Sequence, residues 1–525
     1  MRPLPAVAAL MLAVASVCAP AQESRLPDIG SSAGTVLGPA QQKEYGQMML
    51  AQLRNYDYIL EDPLVDAWLE GLGNRLAAAS DNPKQDFTFF MMKDRQVNAF
   101  ATLGGYVGVN AGLVLVADSE DEVAGVLGHE IAHVTQSHVL RSVERAQRDS
   151  IPILLAMLGA VAVAASSGGD SSANGAMAAL ASAQGIAAQR QINYTRGNES
   201  EADRLGIRTL VRSGYDPNAM AQMFERMQAL ERSNQGGEKE RTPDYLMSHP
   251  VTTLRIAEAK ERAAQAEAAE PRFTPAFAAS DNPLLPSSLQ VTAAPHGGDK
   301  VQFGWVHERL RVLSANTPVD AINEYGRMGR AGELTDAQRY GLAYAHVLAG
   351  QGAAAVRELA PLLDEYPGDA WLELAMGQAQ ARAGDPAAAD ARFERLLARM
   401  PRNRAVALTY AAVLAERNNQ AAGRRAQEVL RPLLGGSGDD PVFQATFARV
   451  NEIAGDPIRA GEAWAETAYL NGRPEQALVQ LNTLKKRADL DYYARARIDA
   501  RIAAITPEVL ELRRQGIRDQ DLDRH

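Results

Sequence analysis

Residues 128–133 read GHEIAH, and the spacing inside that hexapeptide constrains this chain more than any other feature. Side chains four apart share one face of an α-helix, one turn apart. His129 and His133, two of only 8 histidines in 525 residues, therefore meet at a common point only if this stretch is helical. The flanking residues provide for that helix. Ser119 followed by Glu122 is a capping box, which predicts a helix start near Glu120. Val123, Val126, Leu127, Ile131 and Val134 then form an apolar stripe at helical spacing. Glu130 projects from the neighbouring position, where it can draw a proton from a metal-activated water. Two histidines make an incomplete zinc site, because a catalytic zinc takes three protein ligands and keeps a fourth position open.

The stretch RGNESEADRLG, residues 196–206, offers the third ligand. A helix is expected from Asn198, with Leu205, Ile207, Leu210 and Val211 on its apolar side. Glu199 and Asp203 are four apart and share a face, while Glu201 points elsewhere. Glu199 can complete the zinc shell. Asp203 can accept the second N–H of a ligating histidine and so set its tautomer. The competing reading is an acidic helix start that only complements the macrodipole. His249, in a Ser-His-Pro turn, is either a capping or core histidine, or a group that reaches the open zinc position and holds the enzyme latent, or one that steadies an oxyanion. His138, five beyond His133, reads as a surface histidine, and Arg255 as an ordinary exposed arginine rather than one that steadies a carboxylate near the cleft.

Around the motif the pattern is mainly α with a small β-sheet. Gln41 to Ala79 is helical, FTFFMMK (87–93) and YVGV (106–109) read as strands, and Gly104-Gly105 marks a turn between them. Either Asn98, Ala99 and Phe100 or Tyr106 to Val109 can pair with an extended substrate as an added strand. Two apolar runs between 151 and 188 are each short for a bilayer span. They read as a buried helical hairpin, or as one that touches a membrane peripherally. Residues 268–317 hold a linker rich in Ala, Pro, Ser and Gly and a first helix.

From 318 to 505 the chain is rich in alanine and leucine and reads as all-helical. Ala349-Gly350 returns as Ala383-Gly384, Leu362-Leu363 as Leu396-Leu397 and Pro367 as Pro401, each after 34 residues. That period is the mark of tetratricopeptide-like helix pairs, which stack into a partner-binding surface. Residues 506–525 are expected to be a C-terminal tail.

The start of the chain predicts export. Arg2, the apolar run Leu4 to Val17 and Ala19-Pro20-Ala21 fit a signal peptide over 1–21, cleaved after Ala21. Its removal takes away Cys18, the only cysteine, leaving nothing to misoxidise in an oxidising compartment. A net charge of −10 with no long basic run argues against nucleic acid as a partner.

NAFATLGG, LGHEIAHVTQSH, NESEADRLGI and SHPVTTLRI together resemble the zinc metalloprotease family that includes the HtpX-type and CAAX-prenyl proteases, family forty-eight of the metallopeptidases. The lead-in LPDIGSSAG and the repeats resemble its periplasmic members. The resemblance implies a gluzincin-type α+β domain over 22–267, with one zinc on His129, His133 and Glu199 and with Glu130 as general base. It also implies assembly of outer-membrane β-barrels, including the lipopolysaccharide-export pore, and degradation of stalled ones. The repeats would dock on the assembly machinery or its clients, and unfolded proteins would be substrates. A non-proteolytic scaffold or chaperone with a silent zinc site is the alternative, and the intact Glu130 argues against it.

Overall fold

The computed structural model describes residues 37–142, 144–145, 195–234, 245–246, 249–269 and 300–514. The expected signal segment, the 151–188 hairpin and most of the linker lie outside them.

The helical pattern expected from Gln41 to Ala79 is two helices, α1 (Pro39–Asn55) and α2 (Pro63–Ala79). Asp57 takes a left-handed turn (φ 60°), and Pro63 can only open a new helix. Asp62 caps that helix, accepting from the N–H groups of Leu64 and Val65 at 3.1 Å each. Between the helices, Leu60 donates to the Met91 carbonyl and Lys93 donates to that of Tyr58, tying the break to the sheet.

Three short strands form that sheet: β1 (Thr88–Met92), β2 (Ala99–Ala101) and β3 (Tyr106–Asn110). Their order is β1-β3-β2, with β1 parallel and β2 antiparallel to β3. Gly104 and Gly105, at φ 75° and 82°, make the turn between β2 and β3. At Gly105 a Cβ would stand 2.0 Å from the Asp86 carbonyl oxygen, so only glycine fits. Both edges of β3 are taken, which removes Tyr106 to Val109 as a substrate strand and leaves that expectation to β2.

After the short α3 (Ala111–Val116) comes α4 (Glu120–Thr135), capped by Ser119 as expected. It is buried from Glu122 to His133, so the apolar stripe understates its burial. A helix over 195–213 (α5), α6 (Ala219–Asn234) and α7 (Thr253–Ala269) surround it. Glycines set the crossings. A Cβ on Gly125 would lie 2.9 Å from the Met220 Cα, and one on Gly128 would lie 3.2 Å from the Gly206 carbonyl oxygen.

Helices α8 (Lys300–Leu313) and α9 (Pro318–Ala331) begin a run of helical hairpins. It continues with α10 (Asp336–Leu348), α11 (Gly352–Glu365), α12 (Ala370–Arg382), α13 (Pro386–Arg399), α14 (Arg404–Glu416) and α15 (Gln420–Leu430). The starts of α10, α12 and α14 are 34 residues apart, matching the sequence period. The left-handed residues that turn each hairpin, Gly350, Gly384 and Asn418, keep the same interval. Four more helices follow: α16 (Pro441–Ala454), α17 (Pro457–Leu470), α18 (Pro474–Lys485) and α19 (Tyr492–Arg514). The last helix runs through the expected tail boundary at 506, because Ile505 and Val509 are both buried.

The expected break after the linker is not a break in the core. One apolar cluster runs from Leu60 and Trp68 through Trp305 to Val450. Arg309 of α8 grips Asp62 with Nε 2.8 Å from Oδ1 and Nη2 2.7 Å from Oδ2, donates to the Tyr340 hydroxyl, and lies 3.9 Å over the Tyr344 ring. Farther along, Arg404 of α14 reaches Asp66 of α2 at 3.1 Å. Among the described residues no helix is long and apolar enough to cross a membrane.

Candidate metal centre

The crossing of α4 and α5 assembles the site. A Cβ on Gly206 would lie 3.0 Å from the backbone nitrogen of His129, so these helices touch through glycine at the motif itself. Asp203 and Glu199 are one and two turns back from that contact along α5. Their side chains are thereby delivered to the histidines. His129 Nε2 and His133 Nε2 stand 2.9 Å apart, and Glu199 lies 3.4 Å from each. His129 Nδ1 is 2.9 Å from Asp203 Oδ1.

His249 joins them. Its Nδ1 is 3.0 Å from both oxygens of Glu199, and its Nε2 is 3.6 Å from Glu130 Oε1. Its ring lies on Tyr245 at 4.7 Å, and its backbone N–H donates to the Tyr245 carbonyl at 2.7 Å. Tyr245 in turn donates its N–H to the Val97 carbonyl, beside β2.

Two expectations are overturned. Arg255 is not an ordinary exposed arginine. It is largely buried, with Nε 2.8 Å from Asp203 Oδ2, Nη2 2.7 Å from Oδ1, and Nη1 3.0 Å from Glu199 Oε2. The chain turns after Pro250 into α7, and this aims the guanidinium inward between two carboxylates. Its place six residues past His249 was the one hint in the sequence.

His138 is not at the surface either: it is 3 % exposed. Helix α4 stops at Thr135, and Ser137 takes a left-handed conformation (φ 53°). The chain folds back there, so straight-helix geometry does not apply five residues past His133. His138 Nδ1 meets His133 Nδ1 at 2.8 Å, and its Nε2 meets Glu201 at 3.1 Å.

The electrostatics favour a cation. Burial works against charging His129, but the carboxylates of Asp203 and Glu199 outweigh it and push the ring up to about 10. The same partners work the other way on the acids. Burial opposes ionisation of Glu199 and Asp203, yet the adjacent His129 pulls both below the usual carboxylate range. His133 is held well below the usual histidine value by burial and by His129. One donor atom each from His129, His133, Glu199 and His249 falls within 4.8 Å of the others. Two imidazoles and a carboxylate, backed by a second carboxylate on the far nitrogen of one ring, suit zinc.

Glu130 is 1 % exposed, with Oε1 3.6 Å from His249 Nε2. Burial raises its pKa, partly countered by His249 and by the N–H of Ala101 that it accepts. A carboxylate raised in this way is a stronger base than an exposed glutamate, as a proton acceptor requires.

Register decides which backbone groups of the expected substrate strand face outward. The Asn98 carbonyl accepts from Asn110, and Thr102 donates to Tyr106. Alternation along an antiparallel pair then turns the backbone groups of Asn98 and Phe100 toward β3, and those of Ala99 and Ala101 outward. The outer side is covered in this state, since Ala99 is fully buried.

Similarity to known proteins agrees with this geometry. The model of peptidase family M48 matches residues 63–263. The beta-barrel assembly-enhancing protease of Yersinia pestis is 30 % identical over 494 residues, 92 % of this chain and 92 % of that protein. The protein of that name from Escherichia coli K12 is also 30 % identical, covering 91 % of this chain and 90 % of its own length. A Vibrio cholerae protein provisionally given the same name is 42 % identical over 262 residues, but this match spans 49 % of the chain and only 52 % of that protein.

Proposed function

Because the chain belongs to peptidase family M48 and is a metalloprotease, we propose that it is a periplasmic zinc endopeptidase, and a chaperone, that assembles outer-membrane β-barrel proteins and removes failed ones. The observation that carries the chemistry is the convergence of His129, His133 and Glu199 with Glu130 beside them. The name shared by full-length relatives supports the β-barrel role.

In this reading His129, His133 and Glu199 hold one zinc ion, which when bound supplies a Lewis acid to acidify water and polarise a peptide carbonyl. Glu130 takes a proton from the attacking water and returns it to the leaving amine. Asp203 sets the His129 tautomer, and Arg255 holds Asp203 and Glu199 in place. An extended segment of an unfolded client pairs along Ala99 and Ala101, once Tyr245 leaves Val97 and Glu130 releases the Ala101 N–H. His249, whose donor atom lies beside those of the other three, would cap the bound metal and keep the enzyme latent. The segment that carries it also borders the strand, so one displacement would free both. The 34-residue hairpins serve as a tetratricopeptide-like surface for clients or assembly machinery.

The test is proteolysis of an unfolded β-barrel protein by the exported chain, with zinc content measured in each sample. Zinc-dependent cleavage that disappears in Glu130→Gln is expected, with a gain in His249→Ala. Zinc-loaded wild type and His249→Ala that both leave the client intact would favour a non-proteolytic scaffold.

A further inference from the structure

We propose that His138 and Glu201 act together as positioning residues that set the tautomer of His133. The proposal rests on the metal-centre reading and extends it to two residues whose roles lie behind the centre.

His138 packs edge-on against His133, ring centroids 4.7 Å apart, with the two Nδ1 atoms at 2.8 Å. Only one hydrogen can stand between two ring nitrogens at that distance. Which ring carries it is decided on the far side of His138. There Nε2 lies 3.1 Å from Glu201 Oε2, and a carboxylate can only accept. The hydrogen of a neutral His138 ring is therefore on Nε2, and its Nδ1 is the acceptor. His133 Nδ1 must then be the donor. That leaves His133 Nε2 as a bare lone pair, aimed at the point where His129 Nε2 lies at 2.9 Å and Glu199 at 3.4 Å. Arg141 Nη2 holds the same Glu201 oxygen at 3.1 Å and keeps it facing His138.

The two ligating histidines are thus held by different means. His129 meets a carboxylate directly through Asp203. Glu201 is two residues from Glu199 on α5, so it faces away from the centre. An imidazole bridges the gap, brought there by the left-handed turn at Ser137. A side chain that only filled space behind α4 would need no nitrogen at either end.

The experiment uses the full chain, loaded with zinc or cobalt(II). Zinc affinity is read by competition with a chromophoric chelator, and ligand geometry by the visible spectrum of the cobalt form. His138→Phe keeps a ring of similar size without nitrogens, and should weaken zinc by about 10- to 100-fold and shift the cobalt spectrum. His138→Asn places an acceptor oxygen near the Nδ1 position and should recover most of the loss. Glu201→Ala should weaken zinc several-fold. Wild-type affinity and spectrum in His138→Phe would overturn the proposal, as would an Asn variant no better than Phe. Should His138→Phe not fold, unchanged affinity in Glu201→Ala, whose side chain is one-third exposed, would overturn it. Wild type that binds no zinc would instead bring down the metal centre itself.

Discussion

Arg255 lays its guanidinium flat along Asp203, two parallel N–H···O contacts of 2.8 and 2.7 Å, while a third nitrogen reaches Glu199 at 3.0 Å. One cation thus ties together the two carboxylates that lie 3.4 and 2.9 Å from His129. Arg255→Met should lower zinc affinity by about 10- to 100-fold, the usual loss when a group behind a metal ligand is removed. It should also lower the melting temperature of the metal-free protein, because Asp203 is left buried without its partner. Arg255→Lys should recover little, since an ammonium cannot match the two-pronged contact. Chelator competition and calorimetry on the three proteins would check this.

Glu130 is outside the cluster of His129, His133, Glu199 and His249, and its Oε1 lies 3.6 Å from His249 Nε2, beyond hydrogen-bonding reach. Glu130→Gln should therefore keep its zinc, with peptidase activity falling by about 10²- to 10⁴-fold, the range for a lost general base. Zinc content by mass spectrometry and cleavage of an unfolded client separate the two effects. A Gln variant that loses zinc would place Glu130 in the ligand set.

Gly206 permits the close approach of α5 to α4 at the backbone of His129. Gly206→Val should force these helices apart and cost about 1–3 kcal/mol, as overpacking does. Glu199 and Asp203 are on the displaced helix, so zinc affinity should fall together with stability. Gly71→Val is the control: a Cβ there meets nothing within 4 Å, and zinc affinity should not change.

Arg309 and Asp62 join the repeat helices to the catalytic domain through a buried two-pronged ion pair. Asp62→Asn preserves the helix cap, since Asn caps as well as Asp, but leaves Arg309 without its countercharge. Breaking one side of a buried pair costs about 3–5 kcal/mol. A single calorimetric transition should shift down as a whole, because the apolar core continues past this pair. Two separated transitions would show that the two halves unfold independently.

The sequence by itself carried the local chemistry. Spacing four on a helix determined that His129 and His133, and likewise Glu199 and Asp203, share a face. The Ser119 cap and the 34-residue hairpin period are also visible in it, because each follows from turn and helix geometry over a few residues. It could not say where a helix ends by bending back or what a distant turn brings into reach. His138 was misread because Ser137 reverses the chain. Arg255 was misread because its partners lie 52 and 56 residues away in sequence. Which backbone groups of Asn98, Ala99 and Phe100 face outward was not legible, because strand register is decided by pairing with β3. Tertiary structure alone also decided that the repeats share a core with the catalytic domain. The buried charges of Asp62 and Arg309 show nothing in isolation, and they define that junction only once folding has removed water from both.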